Sequence, residues 1–405
     1  MMKNMETEFV KKNLKLISLT LWAITILTGT LLADSPSDIA NIGWAMQSGG
    51  TSGGNGATAS HIYTVHNRAE LLQAIDGVDL VTGKSEKKAP KIIKWVGAID
   101  MSEGKAYTNH ADQALRGEIK LNPNTTIIGI GSTAYLPNGW FMIRGVDNVI
   151  IRNIKITNPC DLFPQWDPND DDGNYNSEFD GLTIDKSTHV WIDHLYFTDA
   201  PHTDDLEPLG NVDKKGIKKH IECHDGSLDI KSASDFVTVS NTKFESHLKN
   251  NLVGSSDKRI EDIGHQNITF AYNWFQDIGQ RSPRVRFGRV HVLNNYYSGS
   301  KNNPVYPHLY SIGTGIQSQI ISDNNVFEID GAKSGQCDDV VLNPQKANPD
   351  GNFKDSGSII NGAALAGCTS PPTVNWSVPY SFSKLPIDKV KNSVTANAGV
   401  GKISF

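Results

Sequence analysis

The chain has 405 residues, 38% hydrophobic and 20% charged, with a formal net charge of −6. That length allows one large domain or two to three average ones, and the composition is too apolar and too weakly charged for a disordered chain. With 36 glycines and 18 prolines a long coiled coil is excluded, and the negative charge argues against nucleic-acid binding, which leaves a basic footprint.

Lys11, Lys12 and Lys15 precede a nearly uncharged apolar run from Leu16 to Ala33. A basic stretch, an apolar stretch and a small residue before Asp34 predict an export signal, residues 1–33, cut after Ala33. The rest, 34–405, is then one mature domain, secreted, extracellular and free of the membrane. An uncleaved anchor is the alternative, because the run is long for a signal and just long enough to span a bilayer. Residues 1–33 carry four Lys and two Glu, so cleavage takes the charge from −6 to −6 − 2 = −8. In an oxidising compartment the even set Cys160, Cys223, Cys337 and Cys368 forms disulfides, with three pairings open. The expected pairs are Cys160 with Cys223 and Cys337 with Cys368. The absence of C-x-x-C spacing argues against structural zinc.

The glycine-rich segment Gly49–Gly56 reads as a loop and, without a G-K-[ST] ending, not as a phosphate cradle. Asn67 followed by Glu70, then Leu71, Leu72 and Ile75, predicts a capped amphipathic helix. From Val149 onward a unit recurs: apolar, any, apolar, any, Asn or a substitute, then an apolar or aromatic residue. Its copies are Val149-Ile151-Asn153-Ile156, Val190-Ile192-His194-Phe197, Val237-Val239-Asn241-Phe244, Ile268-Phe270-Tyr272-Phe275 and Val290-Val292-Asn294-Tyr297, with a weaker Ile320-Ser322-Asn324-Phe327. Each is a short alternating strand, a bend and a second strand. Asn suits the bend because it tolerates the left-handed backbone, and stacked asparagines can bond to one another.

A further strand precedes most copies: Gly181–Asp185, Ser227–Lys231, Asn251–Gly254, Arg284–Gly288 and Tyr310–Gly313. Three short strands per unit describe one coil of a parallel β-helix, which buries its apolar face only by stacking on its neighbours. A β-sandwich is the competing architecture, but the tight hairpin turns it prefers are missing. The predicted helix caps the first coil, Asp167–Asn176 is an insertion, and beyond Gly331 the repeat stops and the tail wraps around the solenoid.

Stacking brings successive first strands about 4.8 Å apart. Glu178 and Asp180, then Asp225 and Asp229, then Lys249, and finally Arg281, Arg284 and Arg286 become neighbours. Facing carboxylates repel one another unless they hold a cation, and an all-oxygen donor set points to calcium. The adjoining basic row would draw an anionic substrate by focusing the field. Solvated surface acids and edge ion pairs are the plainer reading of the same residues.

These runs resemble the pectate lyase family of polysaccharide lyases, the branch that includes pectin lyases. The resemblance spans roughly Gly43 to Gly331. It rests on Val190-Trp191-Ile192-Asp193-His194, on HDGSLDIK from His224 to Lys231, on VTVSN from Val237 to Asn241, and on RSPRVRFG from Arg281 to Gly288 followed by VHVLNNYY. It implies a right-handed parallel β-helix and a calcium-dependent β-elimination on polygalacturonate. Asp180, Asp225 and Asp229 match the calcium-holding positions, and Glu178 matches a further contact. Lys249 matches a substrate-binding lysine, Arg281 the arginine base, and Arg286 its substrate-binding partner; alternation puts Arg284 on the same strand face as Arg286. Pectin lyases lack the acids, so de-esterified pectate is favoured over methylated pectin. Trp191, Asp193 and His194 read as structural. A free guanidinium is ordinarily charged, so a base of this kind needs cationic neighbours. A polygalacturonase would use paired carboxylic acids and leave the arginines unexplained, as would a non-catalytic solenoid. Nothing predicts oligomerisation, so a monomer is expected.

Overall fold

Alternation decides the architecture. Val190 and Ile192, Val237 and Val239, Ile268 and Phe270, and Val290 and Val292 are all fully buried. They pair in register as parallel strands, Val190 with Val237, Val237 with Ile268, Ile268 with Val290 and Val290 with Ile320. A computed structural model describes residues 34–170, 172–343, 351–368 and 374–405. The predicted export signal lies outside the described residues.

Three parallel ladders run the length of the molecule. The first holds Glu118–Lys120, Trp140–Arg144, Leu182–Asp185, Leu228–Lys231, Leu252–Val253, Arg284–Val285, Ile312–Thr314 and Val341–Leu342. The second runs from Ile62–Val65 to Asn352–Ser356, and the third from Lys155–Thr157 to Ile359–Ile360. This is the expected parallel β-helix. The stack continues past Gly331, where the sequence pattern ends, because Val341–Leu342, Asn352–Ser356 and Ile359–Ile360 make a further turn. The pattern fades there because Gly357 and Ser358 follow the strand where the preceding coil has Asn324 and Asn325.

At the bends, Asn153, His194, Asn241, Tyr272, Asn294 and Asn324 all adopt positive φ, between 45° and 59°. The hydrogen-bonded stack falls one residue later than the sequence suggests. Thr242 N donates to Asn273 Oδ1 (2.9 Å), Asn273 N to Asn295 Oδ1 (2.8 Å), and Asn295 N to Asn325 Oδ1 (2.8 Å). Inside the third ladder Phe197, Phe244, Phe275, Tyr297 and Phe327 form a column with ring centroids 4.4–5.2 Å apart.

Helix α1, Arg68–Ile75, forms as predicted. The Asn67 side chain accepts from Glu70 N, and Leu71, Ala74 and Ile75 seal the end of the core. A second helix, α2 (His110–Gly117), was not anticipated, although Asn109 caps it by accepting from Asp112 N. The outer face of the second ladder presents Thr126, Ile150, Trp191, Thr238, Thr269 and His291 in register. The N-terminal segment covers the earlier part: Gly54 N donates to Thr126 Oγ1 (2.8 Å), Ala45 N to Thr238 Oγ1 (3.0 Å) and Trp44 N to Thr269 Oγ1 (3.0 Å). Gly54 lies so close that a Cβ would stand 2.0 Å from Lys91 O. The C-terminal tail covers the rest, with Tyr380 Oη against Thr269 Oγ1 (2.6 Å) and His291 Nδ1 (2.9 Å). Val390 and Val394 of α3 (Ile387–Asn397) pack on Tyr296 and Val326. Both disulfides have the expected pairing, Cys160–Cys223 and Cys337–Cys368, with Cα–Cα distances of 4.7 and 5.2 Å.

Candidate active site

The first ladder builds the site by the same alternation. Leu182, Ile184, Leu228, Ile230 and Val285 fill the core, so Thr183, Asp229, Lys231, Arg284 and Arg286 face outward. Asp229 stands over Thr183 and Lys231 over Asp185. Asp180 and Asp225 sit just before their strands. Gly226 bridges to Lys249 on the next coil, and Lys249 pairs with Gln280, the neighbour of Arg281. Acidic and basic groups from four consecutive coils thus meet on one face.

Asp180 Oδ1 accepts from Gly226 N (3.0 Å) and Asp180 Oδ2 from Thr183 Oγ1 (2.6 Å), while Asp229 Oδ1 accepts from Leu252 N (3.0 Å). A Cβ on Gly226 would stand 2.5 Å from Asp229 Oδ1 and 2.8 Å from Asp180 Oδ1, so glycine leaves room there for two carboxylates. Burial and the charge of Asp180 push Asp225 above the usual carboxylate range. Burial, with Asp180 and then Asp225, pushes Asp229 up to about 7. Lys231, which the sequence reading passed over, lies between two of the acids, its Nζ 2.8 Å from Asp180 Oδ2 and 3.2 Å from Asp229 Oδ2. Burial works against its charge, yet Asp180 and Asp229 hold its pKa above that of a free lysine. Its signal was in plain view, two residues beyond Asp229 on one strand.

Glu178 lies two residues before Asp180. Its carboxylate is 65% exposed and faces His110 Nε2 at 3.3 Å. The three aspartates are an oxygen-only set whose mutual repulsion a hard divalent cation would relieve, so they fit a metal. They are drawn together less tightly than two other groups among the described residues, Cys160–His202–Glu207–Cys223 and Asp204–Cys223–His224. In both of those the cysteines are committed to a disulfide.

On the basic side, Lys249 Nζ lies 3.2 Å from Glu222 Oε2. Burial opposes its charge, but Glu222 and Asp225 raise its pKa overall. Arg286 donates from Nε to Asp257 (2.6 Å) and from Nη1 to Gly254 O (2.8 Å). Arg284 is buried, and burial and then Arg286 pull its pKa down to about 10. Arg281 takes φ 65°, a left-handed conformation that is costly for a non-glycine residue and characteristic of functional sites. Among the described residues neither Arg281 nor Arg284 makes an ion pair.

Behind the acids lies a buried network that sequence reasoning missed. His224, next to Asp225, bonds Asp204 Oδ1 at 2.9 Å, and His247 Nδ1 bonds Asp199 Oδ1 at 2.8 Å. His247 Nε2 faces Lys249 O at 3.2 Å. Asp193 and His194 are likewise engaged elsewhere, Asp193 with Arg152 (3.0 Å) and with His194 (2.7 Å), and Trp191 lies beneath the N-terminal segment with Ala40 and Ala45. All three therefore make their contacts away from the acid row. A cavity of about 770 Å³ is lined by Tyr107, Tyr135, Asn158, His202, Glu207 and His224 among others.

A family model described as pectate lyase matches residues 18–403. The chain belongs to the pectate lyase family. It is 41% identical over 393 residues to pectate lyase E of Dickeya dadantii, covering 96% of this chain and 93% of that one. It is 34% identical over 406 residues to a pectate lyase of Bacillus subtilis, covering 90% and 93%. Among solved structures, a pectate lyase bound to a hexasaccharide superposes with a TM-score of 0.79 at 33% identity, over 92% of this chain and all (100%) of that one. This pectate lyase family member is accordingly a polysaccharide-cleaving lyase, and the parallel β-helix is the fold of its relatives.

Proposed function

We propose that this pectate lyase is secreted and acts as a monomer, cleaving α-1,4-polygalacturonate by calcium-dependent β-elimination to 4,5-unsaturated oligogalacturonides. The observation that carries this reading is the row of acids, Asp180, Asp225 and Asp229, set against Lys249, Arg281, Arg284 and Arg286 on consecutive coils. The three aspartates would hold the calcium, with Glu178, whose carboxylate also faces His110, as a further contact. When bound, calcium would supply positive charge beside the substrate carboxylate and so acidify the C5 proton.

This chain's own groups do the rest. Lys249 and Arg286, both fixed by carboxylate partners, bind the uronate and stabilise negative charge as it develops. Arg284 adds a third cation to the same anion-binding row. Arg281 removes the C5 proton, the electron pair enters the C4–C5 bond, and the bond from C4 to the glycosidic oxygen breaks. That oxygen leaves and takes a proton from water.

Ultraviolet absorbance of the unsaturated product tests the reading, from polygalacturonate and from methylated pectin, with and without chelator. The expected result is absorbance from polygalacturonate that chelator abolishes and calcium restores. Chelator-insensitive activity on methylated pectin would select a pectin lyase instead, and sugar release without the chromophore a hydrolase.

A further inference from the structure

Arg281 O accepts from Asn251 N (2.6 Å), and its guanidinium makes no contact ion pair among the described residues, Asp225 and Asp229 acting on it only across a longer gap. Its Nε is buried with no hydrogen-bond acceptor among them. A carboxylate there would favour the charged form of a guanidinium, which a proton acceptor cannot afford, yet an unanchored side chain would lose the alignment that proton abstraction needs. The neutral group set across from it on the next coil is Tyr310: Ser282 N donates to Ser311 O (2.6 Å) and Tyr310 N to Gly279 O (3.4 Å), which places residue 310 opposite residue 281.

Tyr310 is 3% exposed and precedes the first-ladder strand Ile312–Thr314, one coil beyond Arg284. Its hydroxyl is buried and closes no hydrogen bond among the described residues; burial raises its pKa, and Arg281 and then Arg284 work against that rise. Its ring is fixed. A Cβ on Gly313 would stand 3.0 Å from Tyr310 Cε2 and 2.9 Å from Arg284 Cγ, so the glycine leaves just the room that the ring and the arginine stem fill. Hydrogen bonds of this kind are often long in the free enzyme and tighten when substrate binds.

We propose that Tyr310 is a positioning residue: its phenolic oxygen accepts from the Arg281 guanidinium and aims it at the C5 proton without the countercharge a carboxylate would bring. The proposal rests on the lyase reading above. It predicts that Tyr310→Phe, which keeps the ring and removes one oxygen, lowers kcat on polygalacturonate roughly tenfold or more. KM should stay within about threefold and the thermal midpoint within about 2 °C. Gly313→Ala keeps the hydroxyl but crowds the ring, and should lower kcat in the same sense. The measurement is steady-state kinetics of the calcium-loaded full chain, with thermal unfolding in parallel. A Tyr310→Phe protein with wild-type kcat, or one whose loss lies in KM or tracks a fallen midpoint, overturns the assignment. Wild-type protein that yields no unsaturated product from polygalacturonate overturns the lyase reading itself, and the two failures are distinct.

Discussion

Asp229 and Lys231 occupy alternate positions of one strand whose other members, Leu228 and Ile230, are buried in the core. The same period of two that hides the apolar pair presents the polar pair to the outer face. Single residues set pH behaviour in the same way. His308 is buried, with Nε2 on Ser311 Oγ at 3.0 Å and Nδ1 without an acceptor. Burial, and then Lys301, pull its pKa down to about 4. The unfolded chain therefore takes up this proton near the ordinary value and the folded chain only near 4. The stability His308 gives is complete above about pH 6.5 and is lost as pH falls toward 4, by up to about 3 kcal/mol. Urea unfolding at pH 7 and pH 5 should show this fall, and His308→Gln should flatten the difference; an equal pH slope in the two proteins would remove His308 from the account.

At the scale of the element, the bend is where sequence and structure nearly coincide. The repeat marks Asn241, Asn294 and Asn324, and these positions do adopt positive φ. The cooperative bonds run through the next residue, so Tyr272, which departs from the Asn pattern, precedes a fully integrated Asn273. Asn295 accepts from Asn273 N (2.8 Å) and from Asn273 Nδ2 (3.0 Å), and donates to Phe270 O (2.9 Å) and to Asn325 Oδ1 (3.0 Å). All of it is buried, so Asn295→Ala orphans several groups at once and should cost roughly 2–4 kcal/mol in equilibrium unfolding. A loss below about 0.5 kcal/mol would show that the stack carries little of the stability.

Over the whole molecule, coils that cannot stand alone share one core, and the ends are closed by different means. Helix α1 covers the N-terminal coil, and the Cys337–Cys368 bridge, with a sequence separation of 31, closes a loop at the other end. The double variant Cys337→Ser/Cys368→Ser releases that loop in the unfolded chain and should lower stability by about 3–4 kcal/mol in the chain-entropy account. Denaturant unfolding of both proteins measures it, and equal midpoints would mean that the C-terminal coil is held by its packing alone.

Sequence alone determined the solenoid, because a repeating alternation of apolar residues can be buried only by stacking, and it determined which chemical groups the first ladder carries, because alternation fixes the face each side chain takes. Both cysteine pairs were also within its reach. Only the tertiary structure decided that Lys231 lies between Asp180 and Asp229, that Glu178 turns to His110, and that the histidines beside Asp225 and Lys249 form one buried network. Those outcomes depend on distances between coils and on where long insertions fold back, and a one-dimensional pattern carries register along a strand but not separation across a gap.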